Sequence, residues 1–264
     1  MCLAAMNNAI YRYFLLFLLV PTPLHADADL SIDEFVKRYT PFIEKIVSDM
    51  PVNRKDFDYR EAKTLLHEEV YKVDRTTFYC GCRYTRGKSI LKSSCGVAPR
   101  KNHQRADRVE WEHIVPVSDY GKTRACWKTC PSDKKRSCCR EQDTAFRLFE
   151  SDLYNLVPAE GELNSDRNNL PYGVIPGENR TYGQCDFEVD FVLDRAEPAD
   201  TIKGDIARTY FYMEQTYGIY IPTQQKILFK RWAKQDPVSR EEKDRARRIE
   251  KLQGNRNTYV LGEN

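Results

Sequence analysis

Cysteines constrain the fold of this chain more than any other residue type. The sequence holds nine, and loss of Cys2 with an N-terminal segment would leave an even eight. These eight are Cys80, Cys82, Cys95, Cys126, Cys130, Cys138, Cys139 and Cys185. In an exported protein, such a count favours up to four disulfides formed in an oxidising compartment. The sequence alone does not give their pairing.

A zinc site is the alternative interpretation of four of these cysteines. Thiolates from Cys126, Cys130, Cys138 and Cys139 can close a tetrahedral zinc site. Adjacent Cys138 and Cys139 are, however, a poor ligand pair compared with two spaced CxxC units, and export favours oxidation. We therefore favour disulfides, with zinc as the competing hypothesis.

The N-terminus has the features of a signal peptide covering residues 1–28. Arg12 precedes the apolar run over residues 13–20, which is too short to span a bilayer. Small residues predict cleavage after Ala26 or Ala28. A buried core helix is the alternative for the apolar run. The export signal predicts a periplasmic or secreted protein.

The mature part, residues 29–264, is expected to form one domain. The chain is 41% hydrophobic and 31% charged, which is enough to bury a core. No later stretch is apolar enough for a membrane anchor, and we expect a monomer. The formal net charge is only +3, so attraction for phosphate must come from local clusters such as residues 134–136 or 245–248.

Helical periodicity predicts most of the secondary structure. The predicted helices follow the capping box Ser31–Glu34, begin at Tyr59 after the N-cap Asp58, span 205–217 and 224–234, and run from the N-cap Ser239 to Gly254. Alternating or β-branched residues predict strands over 76–84, around Trp111 and over 186–193. We therefore expect an α+β fold: a mixed, mostly helical single domain with a small sheet, stapled by disulfides.

The stretch RVEWEHIVP, residues 108–116, contributes a histidine and carboxylates. An ideal strand sends Glu112 and His113 to opposite faces. A site that uses both residues therefore requires a bulge or a bend. A lone histidine in a strand more often has a structural role, and only the segment downstream changes that expectation.

The segment from residue 152 to 169 adds amides and an arginine. Pro158 suits the first position of a helix. Continuing this helix places Glu160, Asn164 and Arg167 on one face, at spacings of four and three. Taken alone, the segment is a polar surface helix. Taken with the histidine stretch, it supplies a set of groups suited to metal-assisted phosphodiester hydrolysis.

That reaction needs charge neutralisation at phosphorus, an oriented water and help for the leaving oxygen. Glutamate and asparagine oxygens suit Mg²⁺. A neutral histidine can take a proton from the attacking water, and an arginine can bind two phosphate oxygens. The two segments together offer all of these groups.

Several motifs together resemble the endonuclease I family of bacterial periplasmic and secreted nonspecific nucleases, part of the ββα-metal group. Besides RVEWEHIVP, the resemblance is carried by FYCGC at 78–82, DLYNL at 152–156, GELNSDR at 161–167, YGQC at 182–185, IARTYFYM at 206–213 and KLQGN at 251–255. It covers nearly all of the mature chain and implies a ββα-metal active-site motif.

The resemblance also implies roles for individual residues. His113 is expected to be the general base, and Glu112 and Asn164 to bind the metal directly. A basic residue between Cys126 and Cys139 is expected to contact the phosphate, with Arg136 the better match and Lys135 the alternative.

Two further roles follow from position alone. Asn155 is expected to orient the histidine by hydrogen bonding, and Arg167 to hold the product phosphate. The expected cofactor is Mg²⁺, with Mn²⁺ or Ca²⁺ able to take the same site. The expected activity is cleavage of DNA, and of RNA as well, through contacts with backbone phosphates that leave 5′-phosphate ends and give little sequence specificity. The alternative is a noncatalytic nucleic-acid-binding or surface interaction protein on the same scaffold.

Overall fold

The structure, a computed structural model, describes Glu34, Arg38 and residues 54–263 except Asn102 and Glu178. The chain divides into two units, Met1–Val47 and Ser48–Asn264. The expected signal peptide and the helix expected after Ser31 lie outside the described residues, apart from those two positions. The account below concerns the second unit.

The second unit combines many short helices with two hairpin-like sheets. Its first half contains α1 (Tyr59–Leu65), α2 (His103–Ala106), β1 (Val109–His113), α3 (Val117–Gly121), α4 (Ala125–Thr129), α5 (Lys135–Gln142) and α6 (Thr144–Glu150). Its second half contains β2 (Leu156–Glu160), α7 (Gly161–Arg167), β3 (Phe187–Asp190), β4 (Arg195–Pro198), α8 (Lys203–Tyr217), α9 (Thr223–Gln235), α10 (Arg240–Gln253) and α11 (Thr258–Leu261). Short helical turns lie at Leu66–Val70, which is π-helical, and at Lys92–Ser94 and Asp200–Ile202, which are 3₁₀-helical. The predicted mostly helical α+β class is confirmed.

The predicted caps are confirmed where the structure describes them. The carboxylate of Asp58 accepts the N–H groups of Arg60 and Glu61 at 2.7 and 2.8 Å and so begins α1. The hydroxyl of Ser239 accepts the N–H of Glu242 at 3.0 Å and begins α10, which ends at Gly254 with φ +93°. These ends were predictable because each cap is made by a neighbouring residue.

Helix α8 lies in the core. Ten of its fifteen residues are buried, as expected for a helix surrounded by other elements. Its hydroxyls from Tyr212 and Tyr217 donate to the buried carboxylate of Asp152 at 2.8 and 2.6 Å. Asp152 thereby fixes the segment between α6 and β2. No helix in the described part of the chain is long and apolar enough to cross a bilayer.

Strands β1 and β2 form an antiparallel pair that carries most of the histidine stretch. The register is continuous from Val109 opposite Glu160 to His113 opposite Leu156. Of the bulge or bend expected for a site that uses both Glu112 and His113, the bulge is absent from this register. Among the described strands, β1 pairs with β2 alone, while the N–H of Val109 on its other edge donates to the carbonyl of Lys88 at 2.9 Å.

Residues 156–160 form a strand, and the helix predicted to start at Pro158 is wrong there. Proline is tolerated in an edge strand, and both strands of a two-stranded sheet are edges. The carbonyl of Pro158 accepts the N–H of Phe78 at 2.7 Å. The helix begins at Gly161, so Glu160 belongs to the strand and does not share the helical face with Asn164.

Gly161 makes the direct passage from β2 into α7 sterically allowed. A Cβ at this position would lie 2.7 Å from the carbonyl oxygen of Arg105 and 2.9 Å from the carboxylate of Glu110. Only glycine avoids both contacts. The β1, β2 and α7 elements thus form the ββα unit that the resemblance implied.

Two other predicted strands are corrected. Residues 76–84 make isolated bridges around a turn at Gly81, whose φ is +63°. The strand predicted over 186–193 is only Phe187–Asp190, because the Asp190 carboxylate accepts the N–H groups of Val192 and Leu193, each at 2.8 Å, and turns the chain.

Four disulfides close the fold. They join Cys80 to Cys185, Cys82 to Cys95, Cys126 to Cys139 and Cys130 to Cys138. The last two staple α4 to α5 and remove the zinc alternative, since oxidised sulfurs cannot bind as thiolates. The sulfurs of Cys80 and Cys82 also lie within 4.8 Å of the Glu160 carboxylate, but the same argument excludes a metal there.

Candidate active site

A cleft of about 430 Å³ lies at the open edge of β1. Three consecutive β1 residues line it, including Glu112 and His113. Helix α5 contributes Arg136, and α7 contributes Asn164 and Arg167. The structure therefore brings together five of the residues that the sequence singled out, from three separate elements.

The imidazole of His113 is held in one tautomer. Its Nε2 lies 2.8 Å from the main-chain carbonyl oxygen of Glu150. A carbonyl oxygen only accepts, so Nε2 carries the proton and Nδ1 carries the lone pair of the neutral ring. The ring of Tyr59 stacks on the imidazole with centroids 5.4 Å apart. Burial and the nearby charge of Arg136 lower the pKa of His113 well below its ordinary value, and the Glu150 carbonyl only partly opposes them.

Glu150 supports the site with both its main chain and its side chain. It is the last residue of α6, and the final carbonyls of a helix lack partners within the helix. One of them is therefore free to fix His113. The buried carboxylate of Glu150 binds the guanidinium groups of Arg136 and Arg140, the latter through Nη2 at 2.7 Å. Two guanidinium groups against one carboxylate leave a net positive charge beside the histidine.

Glu112 is a buried carboxylate at 4% exposure. Its Oε1 accepts from the hydroxyl of Tyr79 at 2.8 Å and from Nη1 of Arg167 at 2.9 Å. Burial raises the pKa of Glu112, while Arg167 and Tyr79 oppose the rise. Because burial disfavours its charged form, this carboxylate is further stabilised by any cation that binds beside it.

Asn164 is oriented by a neighbouring carboxylate. Its amide nitrogen donates to Oε2 of Glu110 at 3.2 Å. A carboxylate only accepts, so the amide NH₂ faces Glu110 and the amide oxygen remains for another partner. Glu110 is itself held by Arg105 and Arg108. Together, the Glu112 carboxylate and the Asn164 amide oxygen supply hard oxygen ligands to one cleft, which fits a small divalent cation.

Comparison with known proteins identifies the family of this chain. The model of the Endonuclease I family matches residues 52–262. The chain belongs to the endonuclease I family. It is thus a hydrolase of the nuclease class.

Individual relatives carry related names. An extracellular deoxyribonuclease of Aeromonas hydrophila is 40% identical over 206 residues, covering 76% of this chain and 87% of that protein. A periplasmic deoxyribonuclease of the same species is 40% identical over 196 residues, covering 73% and 81%. An extracellular ribonuclease of Bacillus subtilis (strain 168) is 32% identical over 136 residues, covering 42% and 43%.

Arg136 and Lys135, the two candidates for phosphate binding in this endonuclease I family member, differ in their position relative to the cleft. Arg136 lines the cleft and lies over the ring of Tyr59, 4.9 Å from its centroid. Its guanidinium is anchored on Glu150 while 43% of the side chain stays exposed. Lys135, the preceding residue on α5, is not among the residues lining the cleft. The geometry therefore favours Arg136.

Two predicted roles need correction. Arg167 is fully buried, and its terminal nitrogens donate to Glu112 and to the carbonyls of His113 and Ile114 at 2.8 to 2.9 Å. It holds the Glu112 carboxylate in place, so its terminal nitrogens are already engaged within the protein. Asn155 does not hydrogen bond to the histidine ring: its amide oxygen and nitrogen pair with the N–H and carbonyl of Val115 at 2.8 and 3.0 Å.

Three supporting residues were missed from the sequence: Tyr59, Tyr79 and Glu150. Tyr79 lies in the quoted FYCGC motif, and that motif could have drawn attention to it. Tyr59 was recognised only as the start of α1. Glu150 carries no local signal, because its contact with His113 joins residues that are 37 apart in the chain.

Proposed function

We propose that the protein is an exported, Mg²⁺-dependent endonuclease that hydrolyses phosphodiester bonds of DNA, and also of RNA, with little sequence specificity. The observation that carries this proposal is the oriented imidazole of His113, whose free Nδ1 shares a cleft with Glu112, Asn164 and Arg136. A proton acceptor, oxygen ligands and a guanidinium in one cleft are the groups that phosphodiester hydrolysis requires.

His113 is assigned as the general base. Its neutral ring accepts a proton from the attacking water at Nδ1, while the Nε2–H group keeps donating to the Glu150 carbonyl. Stacking against Tyr59 limits rotation of the ring. Arg136 is assigned to the phosphate, because a guanidinium can hold two non-bridging oxygens and stabilise the charge that develops on them. Departure of the 3′ oxygen then leaves a 5′-phosphate end.

Glu112 and Asn164 are assigned to the metal. Nucleases of this family generally depend on a divalent metal, and two hard oxygen ligands suit Mg²⁺, Mn²⁺ or Ca²⁺. When bound there, such an ion neutralises charge on the phosphate and the leaving oxygen. Arg167 and Tyr79 position Glu112 for this purpose by holding a single oxygen of its carboxylate.

The kind of groups in the cleft accounts for the substrate class and for the low sequence specificity. Cations and metal ligands read phosphates, which carry no sequence information. The relatives named deoxyribonucleases support DNA as a substrate. The relative named a ribonuclease supports RNA, over a smaller part of the chain.

Export is supported by three observations. The sequence has an apolar N-terminal run after Arg12, the fold is closed by four disulfides, and relatives are named extracellular or periplasmic. Disulfides of this density are typical of oxidising compartments. Residues 1–28 are accordingly assigned to a signal peptide, with cleavage after Ala26 or Ala28.

The deciding experiment is plasmid nicking by the oxidised protein without residues 1–28. We expect cleavage with Mg²⁺, none with EDTA and none for His113→Ala, whose disulfides and thermal unfolding should match the parent. Lys230→Ala is the control, because Lys230 is exposed on α9 and lines neither this cleft nor the groove beside it, and it should retain cleavage. Sequencing of the nicked ends should show 5′-phosphates. Salt-sensitive DNA binding without cleavage would refute the proposal and favour a noncatalytic binding protein.

A further inference from the structure

A second groove of about 700 Å³ adjoins the catalytic cleft. The two share four lining residues: Arg105, Trp111, Arg136 and Asn164. The groove is therefore continuous with the place where we assign the scissile phosphate. Away from the cleft it runs between α1 and the turn that contains Lys88.

Helix α1 and the helical turn Leu66–Val70 that follows it present one polar stripe to this groove. Arg60, Lys63, Thr64 and His67 all line it, and their spacings of three and four place them on one helical face. From the first to the last, the stripe spans roughly 10 Å at the usual helical rise. Lys88 lines the same groove from another segment of the chain.

Positive charge in this groove is not neutralised by the protein. The two lining carboxylates are occupied by other groups: Glu68 pairs with Arg86 and His67, and Glu110 pairs with Arg105 and Arg108. Within the described part of the chain, no carboxylate pairs with Arg60, Lys63 or Lys88. Charge clustering of this kind is unfavourable unless an anion binds.

The clustered positive charges act directly on the ammonium group of Lys63. Burial lowers the pKa of Lys63, and the nearby charges of Lys88, Arg136, Arg140 and Arg60 lower it further. Its ammonium lies 4.6 Å from the centroid of the Tyr59 ring, the same ring that stacks on His113. Lys63 is thus close to the catalytic groups without contacting the cleft itself.

Lys88 is held in an uncommon backbone conformation. Its φ is +64°, in the left-handed region that usually favours glycine. Its N–H donates to the carbonyl of Thr85 at 2.8 Å, and its carbonyl accepts the N–H of Val109 at 2.9 Å. Val109 is the first residue of β1, so the turn that bears the Lys88 side chain is fixed to the strand that carries His113.

We propose that this groove binds the backbone phosphates of the substrate strand to one side of the scissile phosphate, through Arg60, Lys63 and Lys88. The inference rests on the proposed nuclease function and extends its site. Charge complementarity and continuity with the cleft both point to a polynucleotide strand. Contacts of this kind are independent of base sequence and make affinity strongly dependent on salt.

The test uses Lys63→Met with Lys88→Gly. Methionine keeps the unbranched stem of Lys63 against Tyr59, and glycine fits the positive φ at position 88 without strain. Binding of a fluorescent DNA duplex is measured in EDTA over 50–200 mM KCl, where each lost phosphate contact lowers the slope of log K against log salt by about 0.9. For two contacts we expect a slope smaller by about 1.8, which changes the salt-dependent loss of affinity over this range by roughly tenfold.

Three controls make the outcome specific. Lys63→Arg should restore the slope at that position. Lys230→Ala removes a cation from an exposed position on α9 and should leave the slope unchanged. Hydrolysis of bis(p-nitrophenyl) phosphate with Mg²⁺, a substrate too short to reach the groove, should stay within about twofold of the parent.

The outcomes separate the two proposals. An unchanged salt slope in the double variant, with hydrolysis of the short diester intact, would overturn the groove assignment and leave the nuclease function standing. Equal losses on DNA and on the short diester would also overturn it, because they would mark a general disturbance of the cleft. If the parent protein hydrolyses neither DNA nor the short diester, the nuclease function is refuted. The salt dependence of DNA binding then still decides the role of the groove.

Discussion

Glu160 predicts an unusual dependence of stability on pH. It is the last residue of β2 and fully buried. The hydroxyl of Thr77 donates to its Oε1, while Oε2 has no hydrogen-bond partner among the described residues. Burial raises the pKa of Glu160 from an ordinary 4.5 to about 7, and the Thr77 hydrogen bond only partly opposes the rise.

The sign of the effect follows from proton binding. Between pH 4.5 and 7 the folded protein keeps a proton on Glu160 that the unfolded chain has already lost. The free energy of unfolding therefore falls as pH rises through this window. A pKa difference of about 2.5 corresponds to roughly 3 kcal/mol, since each pKa unit is worth 1.36 kcal/mol.

Glu160→Gln should remove this dependence, because glutamine stays neutral at every pH. A buried NH₂ group left without a partner costs about 1–3 kcal/mol, but this cost is the same at all pH values. The informative quantity is therefore the difference between pH 8 and pH 5. Relative to the parent, the variant should gain roughly 2.5 kcal/mol over that interval, since pH 5 already lies inside the window.

Urea unfolding at pH 5, 6, 7 and 8, with the disulfides intact, measures this difference. Glu263→Gln is the matched control, because Glu263 is exposed near the C-terminus. Its stability should follow the parent at each pH. Parallel stability profiles for the parent and Glu160→Gln would refute the reasoning, since they would show that the buried carboxyl group has an ordinary pKa in the folded state.

Two further predictions concern the site and the disulfides. Asn164→Ala should raise the Mg²⁺ concentration for half-maximal cleavage at least about tenfold. The control Asn169→Ala, which also removes an amide from the cleft wall, should leave this concentration unchanged. An unchanged Mg²⁺ titration for Asn164→Ala would argue against its role as a ligand. Full reduction of the disulfides should inactivate the protein and lower its stability by roughly 2–5 kcal/mol for each bridge. Urea unfolding with and without reductant measures the loss of stability. A reduced protein with full activity would show that the disulfides between α4 and α5 do not position Arg136.

The sequence predicted best the features that neighbouring residues determine. The cap at Asp58 and the left-handed stop at Gly254 depend on a few adjacent residues, so they could be predicted from the sequence. The structure around Pro158 depends on pairing with β1, some fifty residues away, and this tertiary pairing overrides the local preference for a helix start.

The site shows the same division. The chemical types of Glu112, His113 and Asn164 pointed to hydrolysis because their functional groups are intrinsic to the residues. Their supports could not be predicted, since the carbonyl of Glu150 is chemically the same as any other main-chain carbonyl. It becomes a partner of His113 only because α6 ends beside β1. Asn155 was expected to hydrogen bond to the histidine, but its partner proved to be the main chain of Val115.

The distribution of charge explains how a nearly neutral chain can attract a polyanion. The net charge is only +3 over 264 residues. Around the cleft, however, Arg136 and Arg140 bind the buried carboxylate of Glu150, and Arg167 binds that of Glu112. This leaves one positive charge before any metal binds, and the adjoining groove adds Arg60, Lys63 and Lys88. The groove leads this positive charge to His113, so the loss of phosphate attraction on adding salt should follow the groove residues and not the net charge of the protein.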